Sequence, residues 1–393
     1  MQYLKTIALF VCVSLAIQMQ AQNAYSYDEV NTKSYTLYEQ SSWKELLVYG
    51  KQAIAQGQDF TILRLRLGYA SFMLNNFSEA IKQYEQVLKN DSYNSTAHYY
   101  IYLSRKYLNQ TELATAHVKY LSKEVIEKEQ LKKIAFTEVG VELSVKQTDI
   151  HERENPTYAR VDLSNRFGWN VHMLQSVASY QQTIKEPLLN NVVSNSNNIT
   201  INQFEYYNKL TINLTKKWQV KGVYHFVYTP FNNLIYNNHL GMLGIKYNSN
   251  YFTLQGDLIF GTVTNAAFKQ LNIQLVLYPL GNLNVYGFST IYIRQNETSG
   301  TNFKQVIGTK ILKNFWVEGN TTLGIFKNLA ENDALYLYNA IDANKFKGGI
   351  TGYLSLNKKC IAQLGYTFEQ RELYKRTTTF NQHSITGGLS WKF

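Results

Sequence analysis

Side chains able to pair charges or guide a polar solute recur at alternate positions through the last two thirds of the chain. Glu142, Arg160, Asp162, Arg166, Glu205, Lys209, Gln255 and Asp257 alternate with apolar neighbours. This spacing sets them on one face of a strand. Carboxylates, ammonium and guanidinium groups sharing such a face either pair with one another or line a path for a polar solute. The seven histidines offer less. His98, His117, His151, His172, His225, His239 and His383 fall in no HExxH pattern, and no GxSxG, phosphate-cradling glycine loop or cysteine pair accompanies them. His225, between Val223 and Val227, reads as a polar residue on the charged face. His383 and Ser384 are adjacent, and neighbours on a strand point to opposite faces, so they do not form a hydrolytic pair. The stretch His151 to Glu154 reads as a solvated loop tip. No catalytic residue, metal ligand or cofactor is expected, and the chain reads as a non-enzyme.

The elements that carry the charged face alternate from about residue 137 to Phe393. Val139, Val141, Leu143 and Val145 interleave with Glu138, Gly140, Glu142 and Ser144; Phe252, Leu254, Leu258 and Phe260 interleave with Thr253, Gln255 and Asp257. Aromatics gather at strand ends, as at Trp169, Trp218, Tyr247, Tyr278, Trp316 and Trp391, which suits two interfacial girdles. Short connections near 168–169, 215–217, 248–250, 280–282, 313–314 and 357–358 alternate with long ones near 149–156, 183–197, 230–238, 262–266, 295–301, 327–344 and 371–378. Fourteen antiparallel strands follow, with twelve or sixteen as alternatives. An even count, an apolar outer face and a polar inner face describe a transmembrane β-barrel. A two-sheet sandwich is the competing arrangement.

Before the strands the period is helical and repeats every 34 residues. Leu67-Gly68, Leu74, Phe77, Ala80 and Tyr84 align with Ile101-Tyr102, Leu108, Thr111, Ala114 and Val118; Trp43 takes the Phe77 place one unit earlier. The units are about 27–60, 61–94 and 95–128, within a helical domain of 23–136. This spacing resembles the tetratricopeptide repeat (TPR), a pair of antiparallel helices in which a small residue lets the helices approach. Residues 1–22 read as a secretory signal peptide. Lys5 is the charge, Thr6 to Ile17 the apolar core, and cleavage is expected near Ala21. That core is too short to span a bilayer. Export leaves Cys360 as the one cysteine, so no intramolecular disulfide is expected. The formal charge of +11 is spread over turns and loops, which is not a nucleic-acid patch.

With these elements in place the chain resembles the YaiO-type outer-membrane barrels, some of which carry tetratricopeptide repeats in front. The layout is also similar to that of exopolysaccharide secretion proteins, although three units make a short array. The resemblance implies a Gram-negative outer-membrane location with the repeats in the periplasm. It transfers no site residue. The leading expectation is a barrel whose repeats bind a periplasmic protein, in envelope transport or assembly, with Tyr69, Phe72, Tyr99 and Tyr102 as candidate contacts. A channel or exporter for a polar solute or exopolysaccharide is the alternative, and an outer-membrane lipid hydrolase a distant third. The closing strand, with Gly387, Leu389, Trp391 and Phe393 on its outer face, reads as the signal for barrel-assembly machinery. Expected partners are thus outer-membrane lipids, that machinery and a periplasmic protein.

Overall fold

The computed structural model describes residues 25–185, 198–231, 234–295, 299–374 and 377–393. The expected signal at 1–22 lies outside the described residues, as do parts of the connections 183–197, 230–238, 295–301 and 371–378. By internal contacts the chain divides into two units, one ending at Ser104 and one running from Arg105 to Phe393.

The first unit is built of helical hairpins: α1 (Tyr27–Glu39), α2 (Trp43–Ala55), α3 (Thr61–Met73), α4 (Phe77–Asn90) and most of α5 (Ser95–Tyr107). The starts of α1, α3 and α5 are 34 residues apart (27, 61, 95). The left-handed residues that turn each hairpin, Ser41, Asn75 and Asn109, keep the same spacing. Asparagine tolerates that conformation through its short polar side chain. Asn76 caps α4 by accepting from the Glu79 amide at 3.0 Å. The small residues act as their spacing predicts. Ala80 is fully buried, and a Cβ on Gly68 would lie 2.8 Å from the Tyr84 ring, so α3 and α4 pack closer than any larger residue allows. Asp59 accepts two hydrogen bonds from Arg64, each 2.7 Å. That pairing holds its carboxyl below the ordinary carboxylate range.

The second unit opens with a segment that departs from the repeat. Where 95–128 calls for a full second helix, the chain forms only α6 (Thr111–Ala114), a 3-10 stretch (Thr115–Tyr120) and α7 (Lys123–Lys128). Side-chain hydrogen bonds, one local and two to residues of the barrel, outcompete the α-helix here. The Thr115 hydroxyl bonds the Glu112 carbonyl, the Trp169 carbonyl and, at 2.9 Å, His172 Nε2.

Fourteen antiparallel strands then close into a barrel: β1 (Ile134–Thr148), β2 (Thr157–Phe167), β3 (Val171–Lys185), β4 (Asn198–Asn213), β5 (Trp218–Phe231), β6 (Leu234–Asn248), β7 (Phe252–Val263), β8 (Ala266–Leu277), β9 (Val285–Gln295), β10 (Gly300–Leu312), β11 (Phe315–Glu331), β12 (Tyr336–Ser355), β13 (Cys360–Glu372) and β14 (Thr379–Lys392). β14 pairs with β1 from Glu138–Lys392 to Thr148–Gln382. This seam removes both sheet edges. Val141, Leu143, Leu243, Leu258, Leu364 and Ile385 are large, apolar and exposed on the outer wall, while Glu142, Gln255, Asp257 and Glu369 are buried inside. Such an inverted wall suits lipid outside and polar groups within, and it rules out the two-sheet sandwich. Trp218 meets Tyr247 at 4.8 Å and Tyr247 meets Phe252 at 6.2 Å, forming an aromatic row at the end of the barrel that carries the tight turns. Tyr278 is buried and so leaves the expected girdle.

The end holding Ile134 and Lys392 is called here the near end; the other is the far end. The expected long connection 327–344 is mostly strand. β11 and β12 run on as a hairpin whose turn is 332–335.

Candidate functional site

The β11–β12 hairpin does not continue the wall. Its register slips between Leu323 and Asn328, where Gly324 has φ 96 and a Cβ would meet the Thr301 carbonyl at 2.7 Å. Only glycine fits both demands, and the pair of strands bends there into the lumen. Arg294 of β9 holds the bend, donating from Nη2 to the Ile325 carbonyl at 2.8 Å and from Nη1 to the Asn328 carbonyl at 3.2 Å. Past the bend, Phe326 and Leu329 are buried with Tyr292.

Two kinds of contact hold the hairpin tip. The first is apolar. Ala330, Ala334 and Leu337 pack into a cluster with Val223, Val227, Leu240, Met242, Ile259, Val263 and Phe268, all inward-facing residues of β5 to β8. The second is polar. Asp333 accepts from Lys221 Nζ at 2.9 Å, Lys209 Nζ at 3.1 Å and Gln255 Nε2 at 2.8 Å. His225 Nδ1 bonds the Ala334 carbonyl at 2.8 Å, and Tyr207 donates to the Asp333 carbonyl at 2.9 Å. Gln270 clamps Ala330 from both sides, donating to its carbonyl and accepting from its amide. Asn332, Asp333 and Ala334 are left-handed in succession. For alanine this costs about 1–2 kcal/mol, and the bond from His225 is fixed to that same residue. On the other side of the hairpin, Tyr336 donates to Glu142 at 2.9 Å and Arg160 lies over its ring at 4.6 Å.

At the near end the lumen receives the segment 111–120. Asn213 Nδ2 donates to the Glu112 carbonyl at 2.6 Å and is itself held by Gln219. Burial alone would raise the Glu112 carboxyl. The lysines Lys209 and Lys221, with His172 and Lys246, outweigh it and hold the group below the ordinary range. Asp333 contacts Lys209 and Lys221, and Glu112 is held electrostatically by the same pair.

Toward the far end, beside the hairpin, a cavity of about 480 Å³ remains. Arg153, from the β1–β2 connection, reaches into it and pairs bidentately with Asp342 of β12 at 2.7 and 2.8 Å. Glu331 is shared by Lys347 at 2.8 Å and Lys304 at 3.4 Å. Glu369 accepts from Arg371, Gln382 and Asn344.

The structure places all eight polar residues singled out by alternation on the inner wall. Glu142, Arg160 and Asp162 form one cluster. Lys209, Gln255 and Asp257 belong to the network around Asp333. Glu205 is 3.3 Å from His225, and Arg166 donates to the Lys132 carbonyl. His383 is exposed and bonds the Tyr366 hydroxyl at 2.7 Å, whereas Ser384 is buried on the opposite face. No group of metal-ligating residues occurs among the described residues. In the repeats, Tyr69 packs on Tyr38, Trp43 and Tyr100, and Phe72 packs on Phe77 and Tyr100. Tyr99 contacts Tyr100. Tyr102 is buried, which corrects its assignment as a contact residue: it fills the helix packing. Leu389, Trp391 and Phe393 are exposed on the outer face, with Gly387 between them and Ile385.

Alternation did not reveal Asp333, Tyr336 or the apolar cluster. The signal was present at Leu258-Ile259-Phe260 and Phe226-Val227-Tyr228, where apolar residues occupy both parities and so must be covered on both faces.

No family model and no curated protein matches the chain. Solved structures similar to it include the Pseudomonas putida toluene transporter TodX, at 9% identity over 71% of this chain and 91% of that chain with a TM-score of 0.42. They also include the translocator domain of the autotransporter NalP from Neisseria meningitidis, at 8% identity over 74% of this chain and 99% of that chain with a TM-score of 0.31. MamA is similar at 21% identity over 32% of this chain and 72% of that chain, with a TM-score of 0.24. At these identities and scores the likenesses carry no functional argument. The class rests on the closed ring and the inverted wall: this is an outer-membrane-type β-barrel of fourteen strands preceded by helical hairpins.

Proposed function

We propose that the protein is a non-enzymatic outer-membrane barrel that passes a polar solute and is closed at rest by its own β11–β12 hairpin. The observation that carries this reading is the set of ionic and amide side chains gripping Asp333. A barrel filled only by packed wall residues has no part to move. Here the obstruction is a separate hairpin, attached through one bend and held by exchangeable polar contacts beside its apolar ones. In this reading the near end is periplasmic, and the helical hairpins, akin to those of YaiO-type barrels, dock a periplasmic protein through the Tyr69 and Phe72 surface. Leu389, Trp391 and Phe393 serve as the mark read by the assembly machinery.

Single-channel recording in planar bilayers tests the passage. The intact protein should be mostly silent, and a variant in which residues 328–340 are replaced by a two-residue turn should conduct steadily. Silence in both, with the shortened barrel still showing heat-modifiable migration, would overturn the passage. Crosslinking in cells from Tyr69 tests the docking role; capture of barrel residues alone would count against it.

A further inference from the structure

The far cavity contains an imbalance. Every carboxylate that lines it accepts from a side chain: Glu142 from Tyr336, Glu205 from Gln203, Glu318 from Tyr286 and Tyr353, and Glu331, Asp342 and Glu369 as described. Four of the five lining cations are paired with those carboxylates. The fifth, Lys146, makes no hydrogen bond or ion pair through its side chain among the described residues. Around it stand further donors without acceptors. Ser384, the residue opposite Lys146 across the β1–β14 seam, has a buried hydroxyl with no partner. The same holds for Arg371 Nε, and the Tyr158 hydroxyl accepts from Arg160 while its own proton has no acceptor. Ser384 and Arg371 are themselves more than nine-tenths buried. Ser144 pairs in register with both Tyr158 and Thr386, so Lys146, Ser384 and Tyr158 share one patch of wall, and Arg371 lies four residues along β13 from Thr367, the partner of Ser384. Buried donors without acceptors are costly, and a cluster of them beside an ammonium that touches no carboxylate marks where an acceptor is missing.

We propose that this cavity binds a sugar acid. Its carboxylate is received by Lys146 with the Ser384 and Tyr158 hydroxyls and Arg371 Nε, and its ring lies among Tyr158, Tyr180 and Tyr336. The volume of about 480 Å³ lies within the range of small-ligand sites, where aromatic walls supply contact and a few polar groups fix orientation. A carboxylate fits better than a phosphate dianion because Lys146 is the one lining cation without an ion pair. The hydroxyl-bearing ring fits the surrounding glutamine, asparagine and tyrosine side chains better than an alkyl chain does. This assignment names the solute class of the passage proposed above.

Isothermal titration of the full chain in detergent micelles tests it without requiring conductance. Glucuronate should bind at least about tenfold more tightly than glucose, the size of effect given by one charge-assisted hydrogen bond. Lys146→Met should abolish that difference by weakening glucuronate. If Lys146→Met fails to fold, Tyr158→Phe with Ser384→Ala should still weaken glucuronate selectively. Equal affinity for the two sugars, glucuronate binding indifferent to these substitutions, or inorganic phosphate binding as tightly as glucuronate would each overturn the assignment. A barrel that binds glucuronate but never conducts would sink the passage and leave the site standing. One that conducts but binds no glucuronate would do the reverse.

Discussion

Strands β5 to β8 and strands β12 to β14 with β1 to β3 occupy opposite sides of the closed ring, and their inner faces differ. Midway along, the first side presents Val223, Val227, Leu240, Met242, Ile259 and Phe268 to the lumen. The second presents Glu142, Arg160, Lys347, Glu369, Arg371 and Ser384. The hairpin lies against the first and leaves the cavity against the second. A lumen lined evenly by charges would give a folded hairpin no apolar surface to bury, and water would fill the pore. A lumen lined evenly by apolar residues would collapse around any insert and leave no polar space. The asymmetry lets one barrel hold a plug and a solvated pocket side by side.

Four measurements can break or sharpen that contrast. The largest effect is expected from Asp333→Asn. It leaves Lys209 and Lys221 buried without the carboxylate that touches them, and breaking one partner of a buried pair costs about 3–5 kcal/mol. Conducting events in planar bilayers should become at least about a hundredfold more frequent. An unchanged record would mean that the apolar wall alone retains the hairpin. Leu337→Ala acts on the other kind of contact. Loss of a buried leucine costs about 2–5 kcal/mol, toward the low end here because Leu337 is partly open to the cavity. Opening should rise less than in the Asp333 variant. If it rises more, packing rather than charge closes the barrel.

The third effect depends on pH and concerns the near end. Glu112 has a depressed carboxyl, so its hold on the mouth is present above the unfolded carboxyl range, about 4.3. That hold is lost as pH falls through the lower, folded value. For one proton the population of released segment can rise at most about tenfold per pH unit. Hydrogen exchange of Thr111 to Tyr120 should show this rise in the wild type and a flat response in Glu112→Gln. Parallel curves would remove Glu112 from the latch. The smallest effect is expected on the cavity side. Tyr158→Phe deletes a hydroxyl whose proton has no acceptor and which meets the Arg160 guanidinium, itself held by Glu142 and Asp162, so its loss is nearly neutral, within about 1 kcal/mol. Thermal unfolding should therefore stay nearly level. A clear loss of stability would reveal an acceptor for that proton.

Much of this molecule was legible along the chain. A strand places alternate residues on opposite faces whatever it packs against, so Glu142 to Asp257 could be assigned to one wall from spacing alone. A helical pair needs a small residue where it closes, so Ala80 and Ala114 announced the repeats at their 34-residue interval. Fourteen strands followed from counting where alternation stopped. The interval 327–344 misled because strand pairing that leaves the wall has the composition of a loop: Asn328, Glu331, Asn332 and Asp333 are polar, and the alternation that marks lipid against lumen ceases once neither face meets lipid. The third repeat misled in the opposite direction. Its spacing remained helical, but Thr115 found the Trp169 carbonyl and His172, partners that no local pattern encodes.

The sequence by itself thus determined the wall, because side-chain parity is a local property of extended backbone. It determined the hairpins in front as well, because their packing joins residues only one or two helices apart along a fixed repeat. Only the tertiary structure decided that Asp333 meets Lys209 and Lys221 across more than a hundred residues, that Leu337 buries against β5 to β8, and that Lys146 is left without an ion pair. Those outcomes depend on ring closure, which brings strands distant in sequence to face one another across a lumen.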